Sequence, residues 1–152
     1  MTASEIFSAT PDINGKKILA RITAITLRAV SYEIDGRKIL ENFSATFERG
    51  KIYCIVGANG AGKSTLLNLI CGIIPATRGE IFFDGERRKV SIATAFEKFS
   101  DVLMMDEPDN NLYDRAVAAL KEKIFRGKSN RITLIISHDE RLIALADKTL
   151  SL

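Results

Sequence analysis

Long apolar runs are missing from this chain, and so are cysteine pairs, histidine clusters and any large excess of charge. The longest apolar stretch, around Leu66 to Ala76, is broken by Asn68 and Gly72 and is too short to cross a bilayer. No signal peptide opens the sequence, so any membrane connection is expected to come from another chain. The two cysteines, Cys54 within an apolar stretch and Cys71 near a helix end, show neither metal-ligand spacing nor a disulfide framework. They read as buried thiols of a reducing compartment, which predicts a cytoplasmic protein. With 22 basic and 19 acidic residues the net charge is +3, and the one tight basic run, Arg87-Arg88-Lys89, has no aromatic interleaving. That speaks against a nucleic-acid partner. Repeats, low-complexity tracts and coiled-coil heptads are absent as well. A chain of 152 residues suggests one domain with a sizeable buried core.

What is present begins with Gly57-Ala58-Asn59-Gly60-Ala61-Gly62-Lys63-Ser64-Thr65, which fits G-x-x-x-x-G-K-[ST]. It follows an apolar strand candidate, Ile52 to Val56, and opens an apolar-periodic helix through Leu66, Leu67, Leu69 and Ile70. The glycines let the backbone curl so that successive N–H groups and a helix N-terminus face anionic oxygens. Lys63 adds a cation where β- and γ-phosphates would lie, and the Ser64 hydroxyl is placed to hold Mg2+. The candidate nucleotide-binding residues are therefore Asn59, Gly60, Ala61, Gly62, Lys63, Ser64 and Thr65. A glycine-rich turn with a chance lysine is the bland alternative, and both the residue types and the flanking elements weigh against it.

Residues 1–20 read as an irregular lead-in with turn formers at Pro11, Asp12, Asn14 and Gly15. Ile25, Leu27 and Ala29 then alternate, and Val30, Tyr32 and Ile34 alternate out of phase, which predicts a bulge. Asp35-Gly36 marks a turn, Phe43, Ala45 and Phe47 alternate again, and Arg49-Gly50 leads to the strand before the loop. Thereafter strands and helices take turns. The expected order is a helix to about Cys71, strand 80–84, helix 89–98, strand 102–105, helix 113–125, strand 132–136 and helix 139–146. That pattern predicts an α/β protein, a mostly parallel sheet flanked by helices with an antiparallel β flap in front.

Val102-Leu103-Met104-Met105 reads as a fully buried strand that carries Asp106 and Glu107 at its C-terminal end. Ligands of open α/β sheets bind at that edge. Asp106 would reach the metal through its water shell, and Glu107 would polarise a water in line with the γ-phosphate. Alone, such a pair reads better as a solvated turn; beside the phosphate loop the catalytic reading gains. His138, the one histidine, follows the apolar run Leu134-Ile135-Ile136 and so also falls at a strand end, where an imidazole could hydrogen-bond the γ-phosphate.

In this order the segments resemble the nucleotide-binding domain of ATP-binding cassette (ABC) proteins. Gly57 to Thr65 is similar to the Walker A loop, Val102 to Glu107 to the Walker B strand with its glutamate, and Thr133 to Asp139 to the switch-histidine segment. Asn110 and Leu112 resemble part of the D-loop. Ser4 to Gly15 resembles the connector after the last membrane helix of exporters, which implies a connector at 1–20 and a nucleotide-binding core over 21–152. The resemblance implies ATP and Mg2+ as ligands, Lys63, Glu107 and His138 as catalytic groups, and Ser64 and Asp106 at the metal. It also implies a transmembrane exporter subunit and a second nucleotide-binding domain as partners, at the inner face of the membrane.

The departures are as specific. Between Asp84 and Val102 the family carries a Q-loop, a helical subdomain and the LSGGQ signature; here Gly85-Glu86 through Ala93 resembles only the tail of that region, joined directly onto Phe83-Asp84. The exporter pattern places an adenine-stacking aromatic where this chain has Ile34, leaving Tyr32, two residues earlier, as a substitute. Tyr113 stands at the D-loop aspartate position. The implied function is a minimal MgATP-binding ATPase domain that energises an exporter, with slow or impaired hydrolysis. The alternative is a non-catalytic nucleotide-binding or docking subunit.

Overall fold

The computed structural model describes residues 22–85, 92–93 and 100–152. The segments expected to be a connector and most of the expected helix over 89–98 lie outside these residues. Among the described residues the chain runs β1 (Ile22–Ile34), β2 (Arg37–Glu48), β3 (Ile52–Val56), α1 (Lys63–Ile70), β4 (Arg78–Gly85), β5 (Ile92–Ala93) and β6 (Val102–Asp106). It continues with α2 (Asp114–Gly127), a 3-10 turn at Lys128–Asn130, β7 (Ile132–Ile136), α3 (Glu140–Ile143) and β8 (Lys148–Ser151).

The first sheet is antiparallel, in the order β2-β1-β4. Its hairpin closes where Asp35 (φ 49°) and Gly36 (φ 73°) both take left-handed conformations, the two-residue geometry whose twist suits antiparallel strands. The phase change in the β1 sequence is a true irregularity. The register with β2 slips between Leu27 and Val30, and Ala29 has φ 47°, so buried positions pass from Ile25 and Leu27 to Val30. One extra residue keeps both halves of the strand pointing apolar groups at one core.

The second sheet has the order β5-β6-β7-β3-β8, and every neighbouring pair in it is parallel. Its central strands are apolar on both sides because both sides are covered. Tyr53, Ile55, Val102, Met104, Ile132, Leu134 and Ile136 join α1 and the antiparallel sheet in one core. Ile52, Leu103, Met105 and Ile135 face Ile124 of α2 and Leu142 of α3 in the other. With β7 between β3 and β6, three strand ends lie side by side on the C-terminal edge.

Two expectations are corrected. Ile92 and Ala93, inside the expected helix 89–98, are strand residues that pair in parallel with Val102 and Leu103. They cover the edge of β6 that β7 leaves open. The helix expected over 139–146 is helical only at Glu140–Ile143. Leu145 and Ala146 turn by i to i−3 bonds to Leu142 and Ile143, because the Asp147 N–H must reach the Ile52 carbonyl at 2.8 Å. Asp147 Oδ2 accepts the Ile52 N–H at 2.8 Å in return, which starts β8 alongside β3.

Arg49 links the two sheets. Its guanidinium donates to the Ile22 carbonyl (2.7 Å), to the Asn130 carbonyl and to Asp101 Oδ1 (2.7 Å). It thereby ties the start of β1 to the segments that enter β6 and β7. Burial raises the thiol pKa of Cys54 and of Cys71, so both are protonated near neutrality. Cys54, fully buried in β3, should not react with a disulfide reagent at pH 7 until the chain is unfolded in urea. Rapid stoichiometric labelling of Cys54 in the folded chain would contradict this packing.

Candidate functional site

The loop after β3 is shaped by backbone needs before any ligand is considered. Gly62 (φ 95°) caps α1, and a Cβ there would stand 2.8 Å from the Ile39 carbonyl of β2, so no other residue fits without displacing that strand. α1 has no side-chain cap at its N-terminus and no acidic residue in its first turn. Its leading N–H groups therefore remain available to an anion, with the positive end of the helix dipole behind them. Lys63, only 7% exposed, folds its ammonium back onto the loop, donating to the carbonyls of Gly57 and Ala58 (3.1 Å for the latter).

Ser64 and Asp106 meet across the gap between loop and strand end: the hydroxyl donates to Oδ2 at 2.6 Å. The next residue, Glu107, leaves β6 in a left-handed conformation (φ 48°), with its N–H bound to the Ile136 carbonyl at 2.8 Å. Such strain in a non-glycine residue is sustained by its surroundings and is common at working sites. Its carboxylate is held by Asn110 Nδ2 at 2.8 Å, and His138 Nε2 lies 3.5 Å from the other oxygen. Ser137 Oγ donates to Asp109 Oδ1 at 2.8 Å and accepts the Asp139 N–H at 3.0 Å. The loops after β6 and β7 are thus one hydrogen-bonded unit. Asp139 caps α3 by accepting the Arg141 N–H, and the Arg141 guanidinium beside it holds its carboxyl down at about 2. Arg141 reaches on to Asp114 at 2.7 Å, anchoring the same unit to α2.

These groups line an open cleft of about 640 Å3, formed by Arg37, Ile39, Asn59, Gly60, Gly62, Lys63, Ser64, Thr65, Asp106, Glu107 and Asn110. The volume lies within the range of small-ligand sites, about 300–1,000 Å3. Among the expected residues, Ala61 is in the loop but not in the lining, and His138 stands behind Glu107. Tyr32 and Ile34 are not brought to the cleft. The register slips between Tyr32 and Glu33, where β2 carries one residue more than β1. Tyr32 packs against the core, while Ile34 is 48% exposed outside the lining. Arg37, Ile39 and Asp109 escaped the sequence reading.

Among the described residues no group of three or more His, Cys, Asp or Glu gathers to hold a metal. One hydroxyl and one carboxylate at 2.6 Å suit a cation that takes most of its oxygens from phosphate and water, as Mg2+ does. The donor set therefore fits magnesium on a nucleotide and no self-contained protein metal centre.

A phosphate loop between a central parallel strand and a helix, faced by an acidic strand end, defines a P-loop nucleotide-binding α/β domain. Residues 40–87 match the family model described as ABC transporter. Over 61 residues the chain is 51% identical to the energy-coupling factor transporter ATP-binding protein EcfA1 of Thermotoga maritima, covering 40% of this chain and 23% of that protein. Over 75 residues it is 40% identical to the ribose import ATP-binding protein RbsA of Streptococcus agalactiae, covering 49% of this chain and 15% of that protein. The chain thus spans less than a quarter of the length of either relative. The fold is similar to a bacterial Atm1-family ABC exporter solved with ATP bound, with a TM-score of 0.74 at 17% identity over 95% of this chain and 39% of that one. An ATP-binding subunit of an ABC transporter gives 0.73 at 18% identity, covering 86% of each chain. Over residues 40–87 the chain is thus similar to ABC transporter ATP-binding proteins, and its fold is similar to theirs. Among the described residues no helix is long and apolar enough to cross a membrane.

Proposed function

We propose that this chain binds MgATP through Gly60, Gly62, Lys63, Ser64, Thr65 and Asp106, as the nucleotide-binding core of an assembly that exports a substrate across a membrane. The carrying observation is the meeting of Ser64 and Asp106 at 2.6 Å beside the buried Lys63, in one cleft with an uncapped helix N-terminus. The loop N–H groups and α1 would take the phosphate oxygens, and the Lys63 ammonium would exchange the loop carbonyls for the β- and γ-phosphates. Ser64 and Asp106 would hold the magnesium ion, which supplies charge neutralisation to the phosphates. Glu107, oriented by Asn110, would accept a proton from the attacking water, and His138 would hydrogen-bond the γ-phosphate. A transmembrane exporter subunit and a second nucleotide-binding domain are the proposed partners, at the inner face of the membrane.

Turnover should be slow. The sequence holds no LSGGQ segment, so one side of the charge stabilisation that phosphoryl transfer needs is not supplied from this chain. In a single-turnover assay with the chain in excess over labelled ATP, Glu107→Gln should leave ATP affinity unchanged and slow hydrolysis by about a hundredfold or more, the usual worth of a general base. Equal rates in the two proteins would remove Glu107 from catalysis and favour the non-catalytic binding module.

A further inference from the structure

We propose that Asn59 is a self-modification site: in the empty cleft its carboxamide is displaced by the backbone nitrogen of Gly60, and the aspartate or isoaspartate that forms turns phosphates away. Loss of the carboxamide is a property of the loop alone. Its effect on the cleft, and its suppression by nucleotide, rest on the MgATP reading above.

Asn59 and Gly60 are the central residues of a turn that closes with the Ala61 N–H on the Ala58 carbonyl at 3.0 Å. Gly60, at φ 84°, takes the left-handed position for which such a turn calls on glycine. The loop thus sets beside Asn59 the residue whose nitrogen is least hindered, since it has no Cβ and the space where one would stand holds no atom within 4 Å. Asn59 is exposed, and among the described residues neither its carboxamide nor the Gly60 N–H has a hydrogen-bond partner. Both reactants are therefore unrestrained in the folded loop. The uncapped N-terminus of α1 follows in the same loop. Its positive end favours the negative charge that develops on the Gly60 nitrogen and on the attacked carboxamide oxygen.

The step needs no reagent but water. The Gly60 nitrogen bonds Asn59 Cγ, its proton departs with the side-chain nitrogen as ammonia, and water then opens the cyclic imide at either carbonyl. One opening gives aspartate. The other gives isoaspartate, whose backbone runs on through Cγ and so lengthens the loop ahead of Gly60. Either product carries a carboxylate in place of a neutral group. The charged side chains that line the cleft, Arg37 and Lys63 against Asp106 and Glu107, are in balance, so the new carboxylate tips the lining negative where a polyphosphate would sit. With nucleotide bound, phosphate oxygens would occupy the Gly60 N–H, and only the empty fraction of the chain would react.

The test is to age the full chain at mildly alkaline pH with and without MgATP, map its peptides by mass, and compare the MgATP affinity of fresh and aged chain by calorimetry. The other Asn-Gly pair in the sequence, Asn14-Gly15, is the internal reference. In the folded chain the Asn59 peptide should exchange its carboxamide for a carboxylate. MgATP at about ten times its Kd should slow that exchange about tenfold, because only empty chain reacts, while Asn14 keeps its pace. Aged chain and a fresh Asn59→Asp variant should both bind MgATP about tenfold more weakly or worse. Asn59→Gln, whose longer side chain closes the ring far less readily, should hold its starting affinity through ageing. An Asn59 still intact in the folded chain after the same chain in urea has lost it would overturn the proposal, as would conversion that leaves MgATP affinity unchanged or that bound MgATP does not slow. Conversion of Asn59 in a chain that binds no MgATP, fresh or aged, would leave the modification standing and overturn the nucleotide-binding reading itself.

Discussion

Replacing Lys63 by alanine should abolish measurable MgATP binding while leaving the fold intact. Lys63 is buried yet lies outside both apolar cores, and its ammonium bonds only to the carbonyls of Gly57 and Ala58 among the described residues. Those carbonyls belong to a loop at the edge of an open cleft, where water can replace the lost donor. The loop itself has no comparable substitute, since Lys63 is its one cation in the lining and the other lining cation, Arg37, stands on β2. Truncating one partner of a desolvated charge pair costs about 2–5 kcal/mol, so affinity should fall by about thirtyfold or more. Circular dichroism and the thermal midpoint should barely move. A Lys63→Ala variant that binds ATP like the unmutated chain would mean that the loop does not hold phosphates.

Arg49→Ala should cause the largest loss of stability among single substitutions on this framework. The side chains of Arg49 and Asp101 are only 21% and 8% exposed and lie 2.7 Å apart. Removing one member of a buried ion pair costs about 3–5 kcal/mol, because the other charge stays desolvated and loses that bond. Here two further bonds go with it, to the carbonyls of Ile22 and Asn130. At about 2–4 °C per kcal/mol for a chain of this size, the midpoint should fall by roughly 6–20 °C. Arg49→Lys keeps the charge but cannot address three acceptors with a planar fork, so it should recover only part of the loss. A midpoint within a degree or two of the unmutated chain would show that the sheets hold together without this clamp.

The fold was legible wherever one local signal sufficed. The loop glycines, the buried five-residue strands and the out-of-phase halves of β1 each carry their own pattern, and each stands where the pattern put it. Elements set by tertiary demand were not legible. Lys148–Ser151 is polar but for Leu150, and it is a strand because Asp147 exchanges bonds with Ile52 and delivers it to the edge of β3. The same demand cuts short the helix expected over 139–146.

In the cleft, Asn59, Gly60, Gly62, Lys63, Ser64, Thr65, Asp106 and Glu107 come together because each sits on the loop, on the start of α1 or at a strand end that the sequence marks. Arg37 and Ile39 were missed for a different reason. Only the packing of β2 over the loop, with the Ile39 carbonyl beside Gly62, brings them to the cleft. Tyr32 illustrates the converse. Its aromatic character suggested a base-stacking role, but its ring packs against the core.

The central claim is that this cleft is a nucleotide site, and the most direct measurement is a calorimetric titration of the purified, folded chain with MgATP. The account predicts a saturable, single-site heat that disappears when Mg2+ is chelated or Lys63 is replaced. A folded chain that yields no saturable heat with MgATP would contradict it.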